Sequence, residues 1–389
     1  MFHREKVIAA LESKAERFSG YEAQVSEALS AYEQALADLM HLRQDEIMKR
    51  LAAILWPGAR PTEEHNQHPD LIVPFAQRWQ NHEQARAWAR AILEDVATIA
   101  VDGSQITPTK DFSVPVGAVQ IGWFINPHSA EAPYVKDLAF EVLAPDELAE
   151  EDAEATGFPD WRVNLRRFVG ECHTLAQWME AYREAAVKPV CFFDGSLVLS
   201  FVAQMRPARQ APYLKAITEL LEASERYRVP LVGYVDTSYA RDLVSMLDAL
   251  GSHGAAQPLS DGALLRTRMQ WGDRSTAWIC ARDDDLEANY YERVAFVYLK
   301  TTADRPPARL DVPRWLLEAG ELERSVDVVR AECVVGNGYP YAVETADALA
   351  VITQQDRERF YRVFQQFAER QGLRLRVSRK AMSKRGRRT

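Results

Sequence analysis

Val96-Ala-Thr-Ile-Ala-Val-Asp-Gly-Ser104 is the stretch on which the fold turns. Its first six residues are almost all apolar and rich in β-branched side chains, which predicts a strand buried on both faces. The strand reads as ending at Asp102-Gly103-Ser104. The same device returns at Pro189-Val-Cys-Phe-Phe-Asp-Gly-Ser196. An apolar layer tolerates no carboxylate in the middle of a strand without compensation, but a strand can present one where it emerges. The glycine lets the backbone turn and lets another group approach closely. One Asp-Gly after a strand is ordinary turn chemistry; two in one sheet ask for more. If the two strands are neighbours, Asp102 and Asp194 share a crevice and repel unless a divalent cation neutralises them. Oxygen ligands, with few histidines and no paired cysteines, favour Mg²⁺ or Mn²⁺ over zinc.

Working outward, Val114–Val119 and Ile121–Ile125 follow the first strand across short breaks and suggest a meander. The acidic run from Asp146 to Glu154 reads as a solvated loop or helix face. A helix over Asn164–Ala186 carries Glu171, a third acid that would complete a metal site, although a surface Glu paired with a nearby Arg is the ordinary reading. His173 beside it reads as structural. Helices at Leu214–Arg226, Tyr239–Leu250, Val343–Thr353 and Arg357–Gln371 alternate with strands at Val229–Val235, Trp278–Ala281 and Val294–Leu299. That alternation after a meander indicates an α/β fold with a mixed sheet flanked by helices. Upstream, residues 4–55 read as helix. Val25, Leu29, Tyr32, Leu36 and Leu39 recur at steps of four and three, the pattern of a helix or helical hairpin packed on its own domain, or of a coiled-coil arm or dimer contact. Pro57-Gly58 ends that helix, Pro61–Asp70 reads as loop, and a helix over Phe75–Asp95 carries Trp79 and Trp88. The chain thus divides into an N-terminal helical appendage (1–94), the α/β domain (95–372) and a C-terminal tail (373–389).

The 389 residues are 47% hydrophobic and 26% charged, the balance of a globular protein with ample core. The net charge of −9 argues against coating nucleic acid by bulk charge. Bases concentrate at the end: Arg370 to Thr389 holds nine and no acid, including Arg376, Arg379, Lys380, Lys384 and Arg385. On an acidic body, such a tail can hold a polyanion such as DNA against a metal-bearing cleft. The four cysteines stand far apart, so a zinc ribbon or disulfide framework is not expected and a reducing cytoplasm is. No targeting segment and no membrane-spanning run is visible. No phosphate-binding G-x-x-x-x-G-K-[ST] loop, no G-x-S-x-G elbow and no H-E-x-x-H occurs, which excludes a nucleotide-driven motor and lowers serine-hydrolase and zincin readings.

In order along the chain, Val101-Asp102-Gly103-Ser104-Gln105, the Arg166…Glu171 helix, Phe193-Asp194-Gly195-Ser196-Leu197, Val232-Gly-Tyr-Val235, Gly272-Asp-Arg-Ser275, Arg309-Leu-Asp-Val-Pro313 and Gly338-Tyr-Pro-Tyr341 resemble the NurA family. These are nucleases that work with HerA-type hexameric ATPases in DNA end processing. The resemblance covers about residues 95–380. It implies an RNase H-like core, a Mn²⁺- or Mg²⁺-dependent nuclease acting on single- and double-stranded DNA in double-strand break repair, and a homodimer that docks on the HerA ring. By position, Asp102 and Asp194 match acidic metal ligands, Glu171 the intervening Glu, and Tyr339 the late active-site Tyr. Eight residues on, where many members carry His, stands Asp347, which can bind a metal but cannot donate to a phosphate as protonated His does. The alternatives are an RNase H-fold nuclease with another nucleic-acid substrate, and a catalytically weak adaptor that binds DNA and a motor.

Overall fold

Thr98, Ile99, Ala100 and Val101 are all buried, which makes β1 (Thr98–Ile106) an inner strand. The structure is a computed structural model that describes residues 3–149, 160–251, 259–282 and 290–376. The chain divides into two compact units, one of Met1–Gln80, Ser196–Val198 and Gly233–Gly320, the other of Asn81–Gly195, Leu199–Val232 and Glu321–Thr389.

The second unit holds β1. It opens with α1 (His82–Leu93), which starts later than the predicted Phe75 because Asn81 Oδ1 accepts from Gln84 N–H and caps it there. Trp79 therefore lies outside the helix, its ring set edge-on against Phe75 and Trp271 in the first unit. β1 pairs antiparallel with β2 (Gly117–Asn126), and β2 with β3 (Val135–Leu143). The two short strands expected at 114–125 are thus one strand, and the meander is completed by a third strand that hydrophobic alternation does not reveal. β3 lies at the sheet edge and is exposed on both faces until Glu141, so Val135-Lys-Asp-Leu-Ala-Phe-Glu-Val-Leu143 has no single buried side to pattern.

After β3 comes α2 (Trp161–Ala181), whose buried stripe Val163, Phe168, Cys172, Leu175 and Met179 packs on the sheet. The chain then returns as β4 (Val190–Asp194), parallel to β1 on the side away from β2. α3 (Pro207–Tyr227) packs on α2 and leads to β5 (Leu231–Val235), beside β4 in the order β3-β2-β1-β4-β5. Three antiparallel strands, a helix, then a strand parallel to the first is the RNase H-like arrangement. The chain finishes with α4 (Leu322–Val335), α5 (Tyr341–Ala350) and α6 (Gln354–Arg370). Among the described residues no helix is long and apolar enough to cross a membrane.

The first unit carries antiparallel strands Gly58–Pro61, Trp278–Ala281, Val294–Leu299 and Ala308–Pro313. Its N-terminal helix is not continuous over 4–55 but broken into Arg4–Glu12, Ala15–Leu39 and Gln44–Leu51. Tyr32, Leu36 and Leu39 of the predicted stripe are buried inside the unit, with the Tyr32 hydroxyl donating to Asp248 at 2.8 Å. This half of the stripe is core. The unit also buries an ionic network. Arg309 lies flat on the Phe296 ring, pairs with Asp242, and donates through Nε to Asp311 at 2.7 Å. The Ser196 hydroxyl donates to Asp311 at 2.5 Å.

α5 is held by a buried carboxylate on α4. Glu332 accepts from the Ala342 N–H at the start of α5 (2.8 Å) and from the Thr98 hydroxyl at the start of β1 (2.9 Å). A negative charge at a helix N-terminus is favourable, and one residue thereby joins α5 to β1. Glu332→Ala leaves both donors unsatisfied in the core, so stability should fall by about 2–3 kcal/mol. Urea unfolding of the metal-free protein measures it, and a loss near zero would remove Glu332 from this role.

Candidate active site

The parallel pairing of β1 and β4 ends at Val101 opposite Phe193. The next residue on each strand is an aspartate, so Asp102 and Asp194 stand side by side on neighbouring strands. β1 itself does not end at Asp102, as the sequence suggests. It runs on to Ile106 because β2 continues to pair with it, Asp102 opposite Gly122. The carboxylate therefore sits within a strand, at the point where one of its two neighbours has turned away.

Two glycines make room around it. Gly122 shares the face of Asp102, and a Cβ there would stand 3.0 Å from the Ala350 N and 3.1 Å from the Leu349 Cβ. Its bare Cα lets the end of α5 lie on the sheet, which brings Asp347 near Asp102. On the opposite face, a Cβ at Gly103 would lie 2.6 Å from Glu171 Oε1 and 2.8 Å from Arg167 Cγ. The glycine of the first Asp-Gly-Ser is thus a space reserved for Glu171. The serine of that motif accepts weakly from Ile352 N–H, at 3.4 Å.

Glu171 lies on the buried stripe of α2, one position before Cys172, and is buried itself. It is not a surface Glu, although it does pair with a neighbour: Arg167 Nη1 donates to its Oε1 at 2.9 Å and to the Gly103 carbonyl at 3.2 Å. Tyr339, in the turn before α5, donates its hydroxyl to Asp194 Oδ1 at 3.1 Å. Asp194 and Asp347 are exposed at the mouth of the site, and Asp102 is half-buried.

The electrostatics follow from this crowding. Burial, with the charges of Asp194 and Asp347 adding to it, pushes Asp102 up to about 6. Glu171 is pushed up to about 8, by burial first and then by Asp102 and Asp194, while Arg167 opposes the rise. Asp194 is also raised, by desolvation and by Asp347, against the Tyr339 hydrogen bond that lowers it. The donors are all oxygens of carboxylates that repel one another, and Arg167 is the cation that acts on them. That set fits a hard divalent cation. Among the described residues, no three His, Cys, Asp or Glu side chains converge tightly enough to hold a metal as they stand.

Five residues singled out from the sequence are therefore brought together: Asp102, Glu171, Asp194, Tyr339 and Asp347. His173 is exposed and stands apart from the pairing. Of the tail, Arg376 is exposed and its backbone is tied to the loop after β1, its N–H donating to Ser113 Oγ at 2.8 Å and its carbonyl accepting from Ser113 N–H at 3.0 Å. Arg379, Lys380, Lys384 and Arg385 lie outside the described residues. Arg167, Gly122 and Glu332 were not singled out in the sequence.

Residues 96–352 match the NurA domain. The chain belongs to the NurA family of nucleases. Among curated proteins none matches it. Of solved structures, it is similar to "Crystal structure of NurA with manganese" at 10% identity and a TM-score of 0.41, over 69% of this chain and 88% of that one. It is similar to endonuclease V from Bacillus subtilis at 15% identity and a TM-score of 0.31, over 76% and 96%. It is similar to A. aeolicus Argonaute at 12% identity and a TM-score of 0.30, over 66% and 28%.

The raised carboxylates of the NurA domain give a sign for pH dependence. Both folded values lie above the unfolded ones, so the folded metal-free chain keeps protons that the unfolded chain has released. Their contribution to stability is complete below the ordinary carboxylate range and is lost as pH rises through about 6 for Asp102 and about 8 for Glu171. The Tm of the metal-free protein should fall between about pH 5 and pH 8, and Glu171→Gln should flatten that fall. A profile that Glu171→Gln leaves unchanged would show that Glu171 does not carry it. Gly103→Ala, which drives a methyl into Glu171 and Arg167, should destabilise at all pH values.

Proposed function

We propose that this NurA domain is a metal-dependent nuclease that hydrolyses phosphodiester bonds in single- and double-stranded DNA, with Asp102 and Asp194 as joint ligands of Mn²⁺ or Mg²⁺ and Glu171 as a third. The observation that carries the reading is the register: two rigid, neighbouring strands each place an aspartate just beyond their last pair, in a setting that raises the cost of leaving both ionised. When bound, such a cation activates water and offsets charge developing at phosphorus.

The chain's own residues do the rest. The Tyr339 hydroxyl occupies Asp194 Oδ1 and so orients that carboxylate, leaving Oδ2 for a ligand. Arg167 fixes Glu171 by Oε1 and ties it to the Gly103 carbonyl, so that a group able to hold a proton near neutral pH is held against β1. Asp347 adds a carboxylate where many family members have His. It favours cation binding and gives up donation to phosphate. The family further supports DNA end processing in double-strand break repair, with a HerA-type hexameric ATPase as motor and a homodimer as the working form. Four free, buried cysteines are in keeping with a reducing cytoplasm.

Asp194→Asn keeps the shape and removes a charged ligand, so Mn²⁺-dependent cleavage should fall by orders of magnitude while the fold is kept. Asp102→Asn should do the same, and the double variant should be barely worse, because the two act as a unit. EDTA should abolish cleavage in the wild type. Wild-type rates from Asp194→Asn in Mn²⁺ would overturn the assignment, and no cleavage by the wild type on any DNA would turn the reading to the adaptor.

For the tail, deleting residues 374–389 should weaken DNA binding and flatten its salt dependence by about 0.9 per lost phosphate contact on duplex DNA. Equal affinity and slope would leave the tail without a part in binding.

A further inference from the structure

The end of α5 nearest the aspartates lacks the usual means of stopping a helix. The last carbonyls of any helix have no partner within it. Here Val351 leaves with φ −53° and ψ 122°, so no left-handed cap closes over them, and the last turn holds no basic residue. The donor comes from the sheet instead. Nε2 of Gln120 on β2 donates to the Leu349 carbonyl at 3.2 Å and to the Ala350 carbonyl at 3.0 Å. Only the Nε2 end of the amide can serve there, since both partners are acceptors.

Gln120 pairs across the ladder with Ser104 on β1, and the next pair on that face is Asp102 with Gly122. The Ser104 hydroxyl accepts from Ile352 N–H. Three backbone groups at the exit of α5 are thus held by one cross-strand pair of polar side chains, one step along the sheet from the first aspartate. Gln120 stands in the otherwise apolar run Gly117-Ala-Val-Gln-Ile-Gly-Trp-Phe-Ile125, where a polar side chain needs a partner.

We propose that Gln120, assisted by Ser104, is a positioning residue that aims Asp347 at the cation site of Asp102 and Asp194. The proposal rests on the nuclease reading above. Asp347 lies two residues before Leu349, in the turn that Gln120 holds, and its charge acts on both Asp102 and Asp194. The bare Gly122 decides how closely α5 approaches the sheet but not where along it the helix stops, because apolar contact is not directional. Glu332 fixes the far end, at Ala342. A helix held at one end alone can pivot, and a slip of one residue along its axis moves a side chain by about 1.5 Å. Gln120 supplies the second point, so Asp347 is bracketed between two sets of hydrogen bonds.

Mn²⁺ binding to the full chain, followed by paramagnetic resonance of the free ion, tests this together with amide hydrogen exchange of the metal-free chain. Gln120→Met keeps the length of the side chain and removes both donors. The amides of Val351 and Ile352 should then exchange roughly tenfold faster, the effect of one ordinary hydrogen bond. Mn²⁺ affinity should fall roughly tenfold. Ser104→Ala should act in the same direction and less, and it carries the same comparison should Gln120→Met not fold. The deciding measurement is a double-variant cycle. In an Asp347→Asn background Gln120→Met should cost no further Mn²⁺ affinity, whereas a general loosening of the fold would cost as much in either background. Unchanged exchange, unchanged affinity, or equal losses in the two backgrounds would each overturn the proposal. Mn²⁺ binding that depends on Asp194 but not on Gln120 would overturn this proposal alone. A wild type that binds no Mn²⁺ would overturn the nuclease reading and this proposal together.

Discussion

Two carboxylates held side by side by backbones that cannot relax form the constraint around which this NurA domain is organised. The β1–β4 ladder stops at Val101 and Phe193, and the aspartates that follow inherit its spacing. Flexible side chains on loops could swing apart to relieve their repulsion; these are anchored to strands buried on both faces. The surroundings then share the load. Arg167 supplies positive charge, the Tyr339 hydroxyl takes one carboxylate oxygen, and a raised affinity for protons on both aspartates takes up part of what remains. A site that resists full ionisation when empty is one that gains most from a bound cation.

The rest of the unit brings distant segments to that point. α5 reaches the sheet only because Gly122 has no side chain, and it is set in place at its other end by Glu332. Glu332 reads both the start of β1 and the start of α5, so the position of Asp347 is coupled through the helix to the strand that carries Asp102. Glu171 comes from the opposite face through the gap at Gly103. Three segments far apart in the chain thus meet because two positions lack a Cβ and one buried acid has two donors to satisfy.

How much of this could be read beforehand depends on how local each signal is. Asp102 and Asp194 were legible because each interrupts an apolar run, whereas that their strands are neighbours comes from the β1–β4 ladder and not from the runs themselves. Glu171 carried a signal that spacing alone undersold: it lies in the stripe of Phe168, Cys172, Leu175 and Met179, where a charged residue needs a reason. Glu332 and Gly122 carried none, since the Thr98 hydroxyl that Glu332 accepts from, and the Leu349 and Ala350 atoms that Gly122 makes room for, lie on elements far along the chain. β3 escaped for a different cause. Periodicity is visible only when one face is buried and the other is not, and β3 has neither face covered over most of its length. The helical stripe at 25–39 was correct as a stripe but silent on which half was already in use.

That open edge strand has a consequence of its own. β3 shows Val135, Leu138, Phe140 and Val142 to solvent and offers an unpaired row of backbone groups, the combination that templates intermolecular sheet growth and aggregation. Its defence is written in the same nine residues. Lys136 and Asp137 interrupt the apolar side chains, the Lys136 ammonium lying over the Phe124 and Tyr134 rings, and Glu141 is held by Arg166 in a forked pair. Charges at these positions would have to be buried for a foreign strand to dock. The strand thereby remains a terminus of the sheet, guarded by the charges of Lys136, Asp137 and Glu141.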